Sequence, residues 1–519
     1  MAPFLFALGL SAAPPPVALY PGLGIWTHPI ATSNATAQKF FDQGLALMYG
    51  FNRPEALRSF RKAAELDPGA AMAQWGISMS LGPYVNMDLD PDVHIPEACA
   101  AAKGGLALAR DAEKPWLEAA AARCPDYSDP AKYTAAARRL AQMNPDDPDA
   151  QTVYAEALLL PVRWHWYGPD GKPAEGVAEA ETLLEATLRR FPNHPGANHL
   201  YVHAVESSPN PERGIPSAQR LMGLVPAAGH LVHMPGHIWL VLGDYKTAVD
   251  VNLRAAEVDR RYFAKSGDTG SSYYMYYLHN IQFIVYGRSM QGRVADTKKA
   301  IAQLEQAAAP MEKMMPEMSD IFDPLAAMTR LRVNLWDDVL AAKPASRSAQ
   351  GETWRHFARG MAFAGKGDRA KARDEQQSFE TARAKIDRNA PWGNNKTGPV
   401  LDLAAETLAA RCEASPEAAL PHWRKAVETQ DALVYDEPPA WYYPVRESLG
   451  AALLQSGDAA GAEAVFREGA RRSPRNGRML FGLRESLKAQ GKTGAAAWVD
   501  REYKAAWDGA DLTLRIGEM

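Results

Sequence analysis

The stretch FDQGLALMYGFNRPEALRSFRKAAELDP, residues Phe41 to Pro68, decides the fold of this chain. Small, aromatic and proline residues stand in it at fixed intervals, namely Gly44, Ala56, Phe60, Ala63 and Pro68. These intervals are typical of two short helices joined by a turn, with Ala56 and Phe60 forming an A-x3-F element. A single pair of helices cannot bury its apolar face, so further pairs must stack on it.

The same frame returns elsewhere along the chain. It is carried near the C-terminus by Leu449, Gly450, Gly457, Ala462, Phe466 and Pro474, and in the middle by Gly236, Gly243, Tyr245, Ala248 and Ala255. This spacing matches the tetratricopeptide consensus, a helix-turn-helix unit of about 34 residues. No segment shows a convincing alternation of period two. The sequence therefore predicts an all-α fold, a tetratricopeptide-type superhelical solenoid.

Length and composition agree with several stacked repeats. The 519 residues are too many for one ordinary core, while 47% hydrophobic and 23% charged residues are normal for a folded soluble protein. We expect a signal peptide over residues 1–20, an N-terminal repeat region over 21–290 that carries a histidine-rich site, and a C-terminal repeat region over 291–519.

The N-terminus predicts export. An apolar run, Phe4 to Leu10, precedes the small and proline-rich stretch Ser11 to Ala18, as in the hydrophobic and cleavage regions of a secretory signal. The positively charged start is missing, since the first basic residue is Lys39, and a disordered apolar N-terminus is the alternative. We expect a periplasmic or secreted protein, in which Cys99 and Cys124 are able to pair.

Charge and hydropathy argue against two kinds of partner. The net charge is -4, and no run of Lys and Arg interleaved with aromatic residues gives a footprint for nucleic acid. Beyond the N-terminus, no apolar run reaches the about 18 residues that a membrane span needs. We therefore expect a small-molecule or peptide substrate, with a protein partner in the groove of the repeats as a further option.

Two His-x3-His pairs are the main functional signal. His199 and His203 stand 34 residues before His233 and His237, member for member. That interval is the repeat length, so the pairs should occupy equivalent points on adjacent helices lining the concave groove. Residues four apart on a helix share a face, and packed helices lie about 8–10 Å apart. Four imidazoles can then converge on a metal at about 2.0–2.1 Å.

Other groups lie on the same predicted surface. Glu206 shares a helix face with His203 and is a candidate ligand or general base. His230 and His279 are candidate additional ligands, the second on a further helix. The alternative to a metal site is a groove of hydrogen-bonded histidines.

Pro235 and Gln282 depart from the repeated histidine pattern. Pro235 lies inside the second pair, where it kinks the helix or, if a helix starts there, removes His233 from it. In the next helix Gln282 stands where His199 and His233 stand in theirs, which makes it a candidate substrate-binding residue.

Aromatic segments that interrupt the repeats are candidate substrate contacts. The tyrosine-rich stretch Ser271 to Tyr277 favours Tyr277 as a reactive group and Tyr274 as a substrate contact, and packing between helices is the alternative. In Arg163 to Pro173, the candidates are Trp164 and His165, and near Tyr435 the candidate is Arg446. For Arg446 the alternative is an ordinary salt-bridged loop.

Several stretches resemble a large bacterial family of exported tetratricopeptide proteins. They are GANHLYVHAVESSPNPERGIPSAQRL, GHLVHMPGHIWLVLGDYKTAV, YYLHNIQF and EPPAWYYPVRESLGAALL, together with the opening stretch. The family's NHxxxHxxE element maps onto Asn198, His199, His203 and Glu206, its HMPxH element onto His233, Met234, Pro235 and His237, and its HN element onto His279 and Asn280. The chain departs at Gln282, where relatives are expected to carry histidine, and at His165, where they tend to carry an acid. The resemblance implies the fold and brings no secure substrate.

These patterns favour a metal-dependent enzyme with one or two copper or zinc ions. Imidazole-rich ligation with few carboxylates suits these metals better than a carboxylate-bridged di-iron centre. The tyrosines favour copper and redox chemistry on a small organic substrate, whereas zinc implies hydrolysis with Glu206 as general base. The competing class is a non-catalytic protein that binds a protein or peptide in its groove, or that stores or delivers metal.

Overall fold

Paired helices make up most of this protein. The computed structural model describes residues 16–87, 94–268, 270–343 and 346–519. Its helices up to residue 290 are α1 (Ala35–Tyr49), α2 (Arg53–Leu66), α3 (Ala71–Leu81), α4 (Ile95–Leu108), α5 (Lys114–Ala121), α6 (Pro130–Met143), α7 (Pro148–Leu159), α8 (Val177–Arg190), α9 (Pro195–Glu206), α10 (Ile215–Leu224), α11 (Gly229–His233), α12 (Pro235–Val241), α13 (Tyr245–Ser266) and α14 (Tyr274–Met290).

The helices after residue 290 continue the same pattern. They are α15 (Val294–Met314), α16 (Ser319–Arg332), α17 (Trp336–Ala341), α18 (Ala349–Gly365), α19 (Arg369–Arg383), α20 (Thr397–Cys412), α21 (Pro416–Asp431), α22 (Arg446–Gln455), α23 (Ala459–Arg472), α24 (Gly477–Ala489) and α25 (Thr493–Ala506). A two-residue hairpin, β1 (Pro391–Trp392) with β2 (Asn395–Lys396), precedes α20. Short 3-10 turns lie at Leu160–Val162, Pro211–Gly214, Pro316–Met318 and Ile516–Glu518.

The chain forms two compact units. Within the described residues, unit 1 comprises the chain up to Ile238 together with Val251–Asn280. Unit 2 comprises Trp239–Asp250 and Ile281–Met519, so the division passes through α12, α13 and α14. Inside each unit, consecutive helices pack against each other.

Glycine lets the first three helices of unit 1 close on one aromatic ring. Phe60 of α2 is fully buried, and a Cβ placed on Gly44 of α1 or on Gly76 of α3 would overlap its ring. Larger side chains at these two positions would force the close-packed helices apart. Asn52 begins α2 by accepting a hydrogen bond from the N–H of Glu55 at 3.2 Å. The residues that define the repeat in the sequence are thus the ones that interlock its helices.

Unit 2 contains the same arrangement around its own ring. Phe466 of α23 is fully buried, and a Cβ on Gly450 of α22 or on Gly482 of α24 would overlap it. Asp458 begins α23 by accepting a hydrogen bond from the N–H of Gly461 at 2.8 Å. The predicted all-α, tetratricopeptide-type helix-turn-helix fold is therefore confirmed.

The cysteines, the hydropathy of the helices and the N-terminus bear on the other predictions. Cys99 of α4 and Cys124, which follows α5, form a disulfide bond, and Cys412 is buried as a free thiol. In the part of the chain that is described, no helix combines the length and apolar character of a membrane span. The predicted signal peptide falls mostly on residues 1–15, which lie outside the described residues.

Candidate metal centre

Helix α9 presents the first histidine pair to the interior of unit 1. The helix begins after His194, whose Nδ1 accepts a hydrogen bond from the N–H of Ala197 at 2.9 Å. His199 and His203 follow four residues apart and share a face of the helix, with ring centroids 4.9 Å apart. Both rings are buried. The first predicted pair therefore lies in the core of the unit.

Pro235 interrupts the helix of the second pair without separating its members. Helix α11 ends at His233 and α12 begins at Pro235, because proline has no N–H for the helical hydrogen bond. Met234 keeps helical torsion angles, φ -49° and ψ -37°, and the N–H of His237 donates to its carbonyl at 3.2 Å. A helix does start at Pro235, yet His233 and His237 still meet, with ring centroids 4.6 Å apart.

The six histidines predicted as ligands gather in two groups of three. Triad A is His199, His203 and His230, and triad B is His233, His237 and His279. In each triad, one nitrogen from every ring lies within 4.8 Å of the others. The triads adjoin each other, since the ring centroids of His203 and His237 are 5.4 Å apart. His279 is half-buried and the other five rings are buried.

In triad A, two rings are fixed through Nδ1. The Nδ1 of His199 donates to the backbone carbonyl of Tyr49 at 2.6 Å, and that of His203 donates to the carboxylate of Glu206 at 2.9 Å. Such oxygens only accept, so both Nδ1 atoms carry the proton and both Nε2 atoms carry the lone pair. Among the described residues, the Nε2 of His199 and both ring nitrogens of His230 have no hydrogen-bond partner.

Triad B is fixed in the same way and adds a close contact. The Nδ1 of His233 donates to the side-chain carbonyl of Asn252 at 2.6 Å, and the Nδ1 of His237 donates to the second oxygen of Glu206. The two Nε2 atoms then carry lone pairs, and they face each other 2.6 Å apart. Two neutral acceptors at this distance repel each other unless a cation or a proton lies between them.

Burial favours the neutral form of three of these rings. Removal from water, reinforced by the neighbouring histidines, holds the pKa of His199, His230 and His233 well below the ordinary value. A proton between the two Nε2 atoms of triad B is therefore unfavourable, whereas the neutral imidazole is the form that binds metal. The ring nitrogens of His199 and His230 that have no hydrogen-bond partner within the described part of the chain, together with the all-imidazole donor set, fit a metal ion that prefers nitrogen ligands.

Two aromatic rings that the sequence patterns did not single out lie against triad A. The ring of Phe51 is 4.3 Å from that of His199, centroid to centroid, and the ring of Trp166 is 5.9 Å from that of His203. Phe51 follows Gly50, the C-cap of α1, and occupies the left-handed backbone region at φ 55°. Glycine is usual at that position, so a phenylalanine there was the available sequence signal.

The predicted tyrosines divide into two groups. Tyr276 lies against triad A, with its ring centroid 4.4 Å from that of His230. Tyr274 and Tyr277 pack on Phe263, at centroid distances of 4.9 and 5.9 Å. Tyr273 also contacts the predicted ligand His230, since its hydroxyl accepts a hydrogen bond from the N–H of His230 at 3.3 Å.

The other predicted substrate-binding residues lie in different places. The ring of Trp164 is 5.9 Å from a ring of triad A, whereas His165 beside it is exposed. Gln282 and Arg446 belong to unit 2. Gln282 is half-buried on α14, and Arg446 forms a bidentate ion pair with Asp431, with both N–O distances 2.6 Å.

A separate histidine group in unit 1 surrounds Asp149. Its carboxylate accepts hydrogen bonds from Nδ1 of His28 and Nε2 of His194, both at 2.9 Å, and from the hydroxyl of Tyr49 at 2.5 Å. Burial, the largest influence, raises the pKa of Asp149, but the two histidines together hold it well below its usual range. This group is a buried carboxylate surrounded by donors.

Known proteins show distant likeness to this chain. No protein-family model and no curated protein matches it. Solved structures that align with it include the human IFIT1 dimer with PPP-AAAA (12% identity, 92% of each chain, TM-score 0.35), the yeast Tom70 (13%, 90% of this chain and 96% of that one, 0.35) and the APC/C hetero-tetramer Cut9-Hcn1 (13%, 92% and 88%, 0.31). TM-scores this low support no conclusion, so the fold rests on the helices themselves and the site on its own residues.

Proposed function

We propose that unit 1 is a metal-binding module that holds two ions, one in each triad. The observation that carries the proposal is the contact between Nε2 of His233 and Nε2 of His237, 2.6 Å apart with both protons fixed on Nδ1. The unpartnered Nε2 of His199 supports a second position in triad A. Each buried polar group without a partner costs about 1–3 kcal/mol, and a bound cation would remove that cost.

Copper is the metal we favour, and zinc is the alternative. Six imidazoles suit these ions better than magnesium, calcium or manganese, which prefer oxygen ligands. We assign Glu206 to orienting ligands rather than to binding metal, because each of its oxygens accepts an N–H from His203 or His237. When bound, copper supplies redox chemistry and zinc supplies Lewis acidity.

We further propose that the module serves an oxidoreductase acting on a small organic substrate. The chain contributes a site with little access to water, since five of the six rings and Phe51 are at most 3% exposed. Trp164 and Tyr276 contact triad A and are the side chains best placed to position an apolar or aromatic substrate. Tyr274 and Tyr277 remain candidates for substrate contact and reaction.

Two other functions would use the same module. A zinc hydrolase needs a general base, and Glu206 is the candidate. Because both of its oxygens accept hydrogen bonds from histidines, we favour a role for Glu206 in orienting those rings instead. Metal storage or delivery is favoured by the depth at which the triads are buried. A protein or peptide partner is supported by the helical repeats, whose grooves are suited to extended ligands.

We also propose that the protein is exported and belongs to the bacterial tetratricopeptide family that its motifs resemble. The disulfide bond between Cys99 and Cys124 supports export, because such bonds persist in oxidising compartments. The close packing of the NHxxxHxxE and HMPxH histidines supports a common role for those two motifs.

Metal content of protein produced without an affinity tag tests the proposal. We expect two equivalents of copper or zinc in the wild type and none in His203→Ala/His233→Ala, which removes one ligand from each triad. The matched control is His356→Ala/His422→Ala, two histidines of unit 2 that each bond to a glutamate, and it should keep both ions. Substoichiometric metal that is unchanged in the triad variant would contradict the proposal. A copper electron resonance signal would favour oxidation over hydrolysis.

A further inference from the structure

We infer that Glu206 makes the centre dinuclear, because one buried carboxylate fixes a ligand in each triad. Its Oε1 accepts the Nδ1 proton of His203 in triad A at 2.9 Å, and its Oε2 accepts that of His237 in triad B. This inference rests on the proposed metal site and gives Glu206 a role distinct from ligand or general base. Glu206 is a positioning residue shared by the two triads.

Helix periodicity and repeat packing bring Glu206 to both rings. It is the last residue of α9, three positions after His203, so its carboxylate lies beside that ring on the same helix face. His237 lies 31 residues further along the chain, on α12. The Glu206 side chain is 0% exposed, so water does not compete for either hydrogen bond.

A carboxylate is the side chain that can serve both histidines at once. It offers two acceptor oxygens, whereas the isosteric amide of glutamine offers one acceptor and one NH₂ donor. With glutamine at this position, one histidine keeps its proton on Nδ1. The other must move its proton to Nε2, which removes the lone pair that faces the metal position. The substitution should therefore disable one triad and spare the other.

The charge of Glu206 supports the same role. A carboxylate that accepts the Nδ1 proton makes the imidazole a more basic ligand, and its negative charge offsets part of the charge of two cations in a buried site. Asn252, which binds His233, and the carbonyl of Tyr49, which binds His199, are neutral, and each of these two hydrogen bonds fixes one ring. Glu206 differs from these two partners in carrying a charge and in bonding to one ring of each triad.

The test compares the wild type with Glu206→Gln and with Glu185→Gln as control. Glu185 lies on α8, where it bonds to Tyr201 and Arg213, so its substitution removes one charge from unit 1 away from the triads. Nitrogen NMR of metal-free protein labelled at histidine reports which ring nitrogen carries the proton. In the wild type and the control we expect Nδ1 protons on His203 and His237, and in Glu206→Gln we expect one of the two rings to convert.

Titration with copper or zinc then reports the two metal positions separately. The wild type and the control should bind two ions, and Glu206→Gln should bind one ion unchanged and the second about 10–100-fold more weakly. Equal weakening of both ions, or two unchanged Nδ1 protons in Glu206→Gln, would overturn the inference. If Glu206→Gln does not fold, the wild type still provides a test. A proton on Nε2 of His203 or His237 in the wild type would overturn the inference. A wild type with both Nδ1 protons but no metal affinity would contradict the proposed function and the dinuclear role, while supporting the shared hydrogen bonds.

Discussion

Unit 1 buries two groups of histidines and uses their ring nitrogens differently. Next to Asp149, His194 uses both nitrogens, since it accepts from the N–H of Ala197 and donates to the carboxylate. In triad A, His199 donates from Nδ1, and its Nε2 has no partner among the described residues. Both rings are at most 1% exposed. His194 and His199 are therefore equally buried, and hydrogen bonding is what distinguishes these two rings.

Under the proposed function, this difference separates histidines that stabilise the fold from histidines that would bind a metal. A buried nitrogen with a partner contributes to stability, whereas one without a partner costs free energy that something else must offset. The group around Asp149 satisfies its hydrogen bonds within the chain. In triad A, ring nitrogens of His199 and His230 have no hydrogen-bond partner among the described residues, and a cation from outside can satisfy them. Metal dependence should therefore be confined to the triads.

Metal binding should raise the free energy of unfolding, and we expect this effect to be larger than that of any substitution described below. At a free metal concentration 1,000 times the dissociation constant, one site adds about 4 kcal/mol to the free energy of unfolding, because only the folded triads bind. Denaturant unfolding with metal and with chelator measures this difference. The variant His203→Ala/His233→Ala should show no such difference, and a full gain in stability with metal in that variant would contradict metal binding by the triads.

Replacing the carboxylate of Asp149 should lower the free energy of unfolding without changing the metal content. Asp149→Asn places an amide donor against the donors of His28, His194 and Tyr49, so the free energy of unfolding should fall by about 3 kcal/mol. Elemental analysis of the folded variant should still find the wild-type metal content. Loss of metal from a folded Asp149→Asn protein would show that the two groups do not act separately.

Removing the partner of one triad ligand should weaken one metal ion. Asn252→Ala leaves the Nδ1 of His233 without the acceptor that fixes its proton, and metal affinity at triad B should fall about 10–100-fold. Competition with a chelator measures the two affinities. Asn252→Asp keeps an acceptor oxygen and is the matched control. An equal loss at triad A would argue against separate metal positions.

Raising the pH should destabilise the metal-free protein through His28. Burial, the largest influence, lowers the pKa of His28, but the hydrogen bond to Asp149 and the nearby carboxylates raise it above the ordinary 6.5. A raised folded-state pKa means that the contribution of His28 is complete below pH 6.5 and is lost as the pH rises through the folded-state value. Each pKa unit by which the folded and unfolded states differ changes the free energy of unfolding by about 1.4 kcal/mol.

The control for this pH effect is His28→Gln. Burial raises the pKa of Asp259 to about 7, so its contribution to the free energy of unfolding also falls as the pH rises to that value. The difference between the wild-type and variant curves therefore isolates the effect of His28. Asp149 does not interfere, because its depressed pKa places its own loss below pH 3.8. Denaturant unfolding from about pH 6 to 9 should show a steeper decline in the wild type than in His28→Gln. Equal slopes would contradict this assignment.

The fold and the pairing of the histidines were accessible from the sequence because each depends on local spacing. Gly44 and Phe60 stand at the repeat interval, and the same two residues make the contact between α1 and α2. The interval of four residues in each histidine pair sets which rings share a face. At Pro235 the sequence left two outcomes open, because backbone continuity through Met234 depends on the surrounding packing.

The partners of the histidines were mostly hidden from the sequence. The carbonyl of Tyr49 belongs to the backbone, so no side-chain pattern announces its bond to His199. Asn252 and Phe51 come from segments distant in the chain, and tertiary packing alone brings them to the triads. Glu206 was visible as a carboxylate near His203, but its second bond depends on how α12 packs against α9.

Anomalous X-ray diffraction from crystals of protein produced without an affinity tag shows directly whether each triad holds a metal ion. Data collected on both sides of the copper and zinc absorption edges locate the ions and identify them. We predict two anomalous peaks, one among the ring nitrogens of triad A and one among those of triad B. Empty triads in crystals grown with added metal, or a peak at His28, Asp147 and Asp149 instead, would contradict the account.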